Sequence, residues 1–129
     1  MDNKPPLILI VDDNPQNCQF LGNLLAENGY ELGVARDGLK ALEFVRNDVP
    51  DLILLDVMMP EMDGLTVLKA LREIPEVKSV PVIFMTARSQ PKEIEKLRKM
   101  DVVGIISKPF DPMTLAEKIK NIWDSFSER

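Results

Sequence analysis

The chain has 129 residues, 45% of them hydrophobic and 29% charged, with a formal net charge of −5, no histidine and a single cysteine, Cys18. This size fits one domain that buries enough surface to fold without staples, and the acidic balance leaves no basic stripe to displace counterions from a nucleic acid. Lack of histidine excludes a Ser-His-Asp triad, a Cys-His pair and every histidine-ligated metal, while the lone cysteine excludes an internal disulfide or a thiolate cluster.

In chain order, the first apolar run is 7–11, preceded by polar residues. It is too short for a signal peptide or a membrane span, so a cytoplasmic protein with no membrane attachment is expected. Further continuous apolar runs lie at 52–55, 82–85 and 104–107, with a weaker one at 31–35. Continuous rather than alternating apolarity suits strands of a parallel sheet covered on both faces.

Helical patterns separate these runs. The first helix is predicted to be capped by Asn14 with Pro15 at its first position, to carry Cys18, Leu21 and Leu25 on one stripe, and to stop at Gly29. The second follows Asp37 and turns Leu42 and Val45 inward; the third follows Asp63, carries Leu65, Leu68 and Leu71, and ends before Pro75. The fourth begins near Ser89 to Pro91 with Ile94 and Leu97 on its apolar side, and Glu95 and Lys99 spaced to support it. The last starts at Asp111 and Pro112 and carries Leu115, Ile119, Ile122 and Phe126 on one buried stripe. Five strand-then-helix units in order predict an α/β doubly wound sheet, in one domain spanning 1–129 with a core at about 7–124.

Open parallel sheets place their sites beyond the carboxyl ends of strands. Asp12 and Asp13 follow the first strand and Asp56 the third; Thr86 ends the fourth, and Lys108 and Pro109 follow the fifth. The second strand leads only to Arg36 and Asp37. Clustered carboxylates repel unless a cation joins them, and Mg2+ suits such a set because it takes oxygen ligands and binds through one or two carboxylates plus a phosphate. A carboxylate can attack phosphorus to give an acyl phosphate, a reaction that needs mainly positioning and charge neutralisation. Each residue alone reads as a cap or turn; their joint placement at successive strand ends is what points to chemistry.

With these residues in view, the chain resembles a response-regulator receiver domain of two-component signalling, of the chemotaxis-regulator type. The matching segments are Ile10-Val11-Asp12-Asp13-Asn14, the run from Asp51 through Asp56 to Pro60, Met62-Asp63-Gly64, Pro81-Val82-Ile83-Phe84-Met85-Thr86-Ala87 and Ser107-Lys108-Pro109-Phe110. The resemblance implies a flavodoxin-like (βα)5 sheet in the order 2-1-3-4-5 with helices on both faces. It implies Asp56 as phosphoryl acceptor, with Asp13, Asp56 and the Met58 backbone carbonyl ligating Mg2+ and Asp12 acting through water. Thr86 and Lys108 would hold phosphoryl oxygens, and the bond before Pro109 would be cis. The implied donor is a phosphohistidine on a sensor histidine kinase or a histidine phosphotransfer protein, met at the first helix and at Pro109 and Phe110, and a downstream target protein would read the switch.

The chain departs from the family in places. The usual aromatic switch position is Ile105, which has no ring to swing toward the phosphate. The positions that tune acyl-phosphate lifetime are Met58 and Arg88, neither of them a water-positioning acid or amide, so slow self-dephosphorylation is expected. Val102 and Val103 read as core packing at a strand entrance, with a partner surface as the sharper alternative; Met58, Met59 and Met62 read as gap fillers, Cys18 as an inert core thiol and Trp123 as packed. A haloacid-dehalogenase-type phosphatase would need a second aspartate where Met58 stands. A flavodoxin-like electron carrier would need a phosphate cradle where Asp12 and Asp13 would repel it. A phosphorylation-independent scaffold is the remaining rival, and the expected role is signalling rather than metabolic catalysis.

Overall fold

Continuous apolar runs become strands that are covered on both sides, because the pleat sends alternate residues to opposite faces. In the computed structural model, which describes residues 5–87, 91–108 and 111–127, the strands are β1 (Leu7–Val11), β2 (Glu31–Ala35), β3 (Leu52–Asp56), β4 (Val82–Thr86) and β5 (Gly104–Ser107). They form one parallel sheet in the order β2-β1-β3-β4-β5, as the resemblance implied. The helices are α1 (Pro15–Glu27), α2 (Gly38–Asn47), α3 (Gly64–Arg72), α4 (Pro91–Arg98) and α5 (Pro112–Ser127), with a 3-10 turn at Pro75–Val77. No described helix is long and apolar enough to cross a membrane.

The pleat divides the core into two layers. Ile8, Ile10, Leu52, Leu54, Ile83, Met85 and Ile106 pack against Cys18, Leu21 and Leu25 of α1 and Leu115 and Ile119 of α5. Leu9, Val11, Ile53, Leu55, Val82 and Phe84 pack against α2, α3 and Leu97 of α4. Neither layer leaves room for a polar residue within β1, β3 or β4 until the last position of the strand or the residue after it.

Local chemistry sets the helix ends. Asn14 caps α1 by accepting from the N–H groups of Gln16 and Asn17, Asp37 caps α2 through Lys40 N–H, and Asp63 caps α3 through Thr66 N–H. After α1, Gly29 adopts φ +89°, a conformation an L side chain resists, so the chain can turn sharply into β2. The expected apolar stripes pack inward to different depths, with Leu42 and Leu65 lying against the core layer without being fully buried. Ala41 and Val45 make the buried stripe of α2 while Leu42 is only half-buried, and Val67 joins Leu68 and Leu71 on α3 while Leu65 is half-buried.

The remaining expectations about packing divide. Val102 packs into one layer and Val103 into the other, as core residues at a strand entrance do. Trp123 is half-buried against the α1 and α5 layer. Met59 is buried and Met62 packs over Gly38, but Met58 is 52% exposed and fills no gap. Ser89 and the Phe126 side chain lie outside what is described.

Candidate phosphoryl-acceptor site

The site is assembled where apolar strands give out. Asp12 follows β1 directly, Asp56 is the last residue of β3 and Thr86 the last of β4, and all three are buried, at 0%, 2% and 0% exposure. Main-chain bonds fasten these ends together. Asp12 N–H donates to Ala35 C=O at 3.1 Å, Val57 N–H to Met85 C=O at 3.0 Å, and Lys108 N–H to Thr86 C=O at 2.8 Å. Register within the sheet therefore determines which side chains meet.

Lys108 joins the two buried carboxylates. Its Nζ donates to Asp12 Oδ2 at 3.1 Å and stands 3.3 Å from Asp56 Oδ1. Asp12 has two further donors, Asn14 N–H to Oδ1 at 2.9 Å and Asn17 Nδ2 to Oδ2 at 3.3 Å. Asp56 Oδ1 accepts from Met58 N–H at 3.3 Å. Asp13 is accessible to solvent and, with Asn14, Asp56, Met58, Ala87 and Lys108, lines an open basin of about 540 Å3.

One ammonium cannot neutralise three carboxylates. Burial, and then the neighbouring Asp12 charge, push the Asp56 carboxyl up to about 6, against the pull of Lys108 and the Met58 N–H. Oxygen atoms of Asp12, Asp13 and Asp56 lie within 4.8 Å of one another, a hard-donor set that could hold a metal ion. That surplus of buried negative charge is the observation that makes a small divalent cation fit here.

Other expected residues are placed less directly. Thr86 has the strand parity of Val82 and Phe84, opposite to that of Asp56, and closes β4 one residue after Met85, the register partner of Asp56. Ile105 is half-buried in the α2 to α4 layer, paired in register with Phe84. Cys18 lies beneath the site, its thiol donating to Asp12 C=O at 3.3 Å, and burial pushes that thiol up, away from reactivity. Arg88, Pro109 and Phe110 lie outside the described residues, so neither the lifetime position at Arg88 nor the cis bond before Pro109 is described.

Two residues escaped the sequence reading. Asn17 hydrogen-bonds Asp12, and the only sequence signal is its position one helical turn after Asp13. Gly64 entered only as part of a motif. A Cβ there would sit 2.9 Å from Val57 Cα and closer still to the Asp56 carbonyl oxygen, so α3 can approach the end of β3 this closely only through a glycine.

Comparison with known proteins bears on this geometry. Residues 8–120 match the response regulator receiver domain family. The polar-differentiation response regulator DivK of Brucella anthropi is 38% identical over 117 residues, 91% of this chain and 95% of that protein. Among solved structures, the chemotaxis response regulator CheY4 of Vibrio cholerae superposes with a TM-score of 0.85 at 30% identity, covering 92% of this chain and 98% of that one. The signal receiver domain of a signal transduction histidine kinase from Syntrophus aciditrophicus gives a TM-score of 0.81 at 34% identity, with 93% and 91% covered.

Proposed function

The chain belongs to the response regulator receiver domain family, and from that premise we propose that Asp56 takes a phosphoryl group from a phosphohistidine and thereby switches the surface a partner reads. Receiver domains act in signalling with histidine kinases and downstream effectors; the donor proposed here is a sensor histidine kinase or a histidine phosphotransfer protein in the cytoplasm. The observation that carries the reading is Lys108 held 3.1 Å from Asp12 and 3.3 Å from Asp56, at the one edge where three carboxylates converge.

The chemistry follows from these residues. An ionised Asp56 oxygen attacks phosphorus, the new O–P bond forms as the N–P bond to the donor imidazole breaks, and the electron pair leaves on nitrogen, which takes a proton. Lys108 then exchanges the Asp56 oxygen for a phosphoryl oxygen, and the Thr86 hydroxyl bonds another. Asp13, Asp56 and the Met58 carbonyl would hold Mg2+, with Asp12 reached through water. When bound, that ion supplies the charge neutralisation that brings an anionic donor to an acidic edge.

Catalysis by this domain is confined to its own modification and slow hydrolysis. Met58 is a half-exposed thioether beside the acceptor and cannot orient an attacking water as an acid or amide would. With Ile105 in place of an aromatic, the coupling from Thr86 to the surface proceeds without a ring rotation. The whole of 1–129 is read as one receiver unit.

Intact mass after incubation with acetyl phosphate tests this directly. The chain should gain one phosphoryl group in Mg2+, and no gain should occur in chelator or in Asp56→Asn. No gain by a folded, Mg2+-bound chain would instead favour a scaffold that works without phosphorylation.

A further inference from the structure

We infer that Asn17 is a positioning residue of this site, holding the buried Asp12 carboxylate in place for the cation; this rests on the reading of Asp12, Asp13 and Asp56 as a metal-binding set. Asp12 is wholly buried, and its Oδ2 has two side-chain donors, Lys108 Nζ at 3.1 Å and Asn17 Nδ2 at 3.3 Å. The orientation of the amide follows from chemistry, because its oxygen turned toward a carboxylate would be repelled.

The two donors have different fates. Lys108 also stands 3.3 Å from Asp56, so it is the group that moves whenever Asp56 acquires a cation or a phosphoryl group. Asn17 is anchored in the first turn of α1, where its own N–H donates to the Asn14 cap at 3.3 Å. It is neutral and adds no repulsion toward a cation or an incoming anion. Asn14 N–H restrains the other oxygen, Oδ1, from the same loop. Asn17 thus keeps Oδ2 fixed when Lys108 is drawn away, and with that donor removed the buried carboxylate would be held through Oδ1 alone.

Calorimetric titration of Mg2+ into the phosphodonor-free protein tests the role. Asn17→Leu, which keeps the side-chain size and removes the N–H, should weaken Mg2+ binding about tenfold, the usual scale for losing a partner that orients a metal-facing carboxylate. Asn17→Gln, which keeps the amide, should restore most of the affinity, and Asn17→Ala should behave as Asn17→Leu should one of them fold poorly. At saturating Mg2+, the rate of phosphoryl uptake from acetyl phosphate should return to that of the unaltered chain. Unchanged affinity in Asn17→Leu and Asn17→Ala, equal loss in Asn17→Gln, or a rate that stays low at saturating Mg2+ would each overturn the inference. A chain that binds Mg2+ but takes up no phosphoryl group would sink the functional reading and leave the Asn17 result standing. Absence of Mg2+ binding by the unaltered chain would overturn both.

Discussion

Ile10 and Asp12 lie two residues apart on one line of chain, both fully buried, and so do Leu54 and Asp56 along β3. Their surroundings are opposite in kind. Ile10 and Leu54 pack into the apolar layer of α1, α5 and neighbouring strands, whereas Asp12 and Asp56 meet an ammonium, an amide and main-chain N–H groups. Burial in the body of the sheet stabilises the fold by about 1.5–3 kcal/mol for each large aliphatic side chain. Burial at the edge costs stability and holds negative charge ready for a cation. The same line of chain therefore carries stability along its length and buried charge at its tip, with one residue between them.

The sharpest way to break this contrast is to empty the body and ask whether the tip responds. Leu54→Ala removes a fully buried side chain two residues before Asp56 and should cost about 3–4 kcal/mol by urea unfolding, with Mg2+ affinity of the folded protein within a fewfold of the original. A collapse of affinity in protein that remains folded would show that body and tip are not separable.

At the tip the sign should reverse. The Asp56 carboxyl is raised to about 6 from 3.8, so between those pH values the folded state keeps a proton that the unfolded state has released. Stability therefore falls as pH rises through that window, and the full penalty applies above about pH 6. Asp56→Asn should be more stable than the original in chelator at pH 7, by on the order of 3 kcal/mol, and the gain should vanish below about pH 4. Added Mg2+ should stabilise the original and leave the variant unmoved. A stability gain that is independent of pH would assign the effect to something other than the Asp56 charge.

Gly64→Ala sharpens the comparison by joining its two halves. The new methyl would press on Val57 Cα and on the Asp56 carbonyl, both backbone, so either α3 or the end of β3 must shift. A loss of about 1–2 kcal/mol is expected, together with weaker Mg2+ binding, since the shift moves Asp56 itself. Lowered stability with intact metal affinity would mean that α3 yields and the strand end does not.

Much of this architecture is written locally. Continuous apolar runs predict strands covered on both faces, and Asn14, Asp37, Asp63 and Gly29 mark helix ends through side-chain acceptors and backbone freedom that operate within a few residues. Strand-end acids and the lysine could be gathered on paper because a parallel sheet brings all its carboxyl ends to one edge. Less legible were residues whose meaning depends on close approach. Leu42 and Val45 read alike by periodicity, yet Val45 is fully buried while Leu42 lies half-buried against the same layer. Met58 reads like Met59, yet one faces the basin and the other the core.

By itself, then, the sequence determined the elements, their order and the side chains available at each strand end, since all of these depend on period, caps and chain direction. Only the tertiary structure decided who meets whom. Lys108 reaches Asp12 across 96 positions, and Asn17 becomes the second side-chain donor to that carboxylate. Arg72 straps α3 to the carbonyls of Val77, Lys78 and Val80 and to Asp101. Such contacts depend on packing distances of a few ångströms between segments remote in the chain, and no local pattern of residue types encodes them.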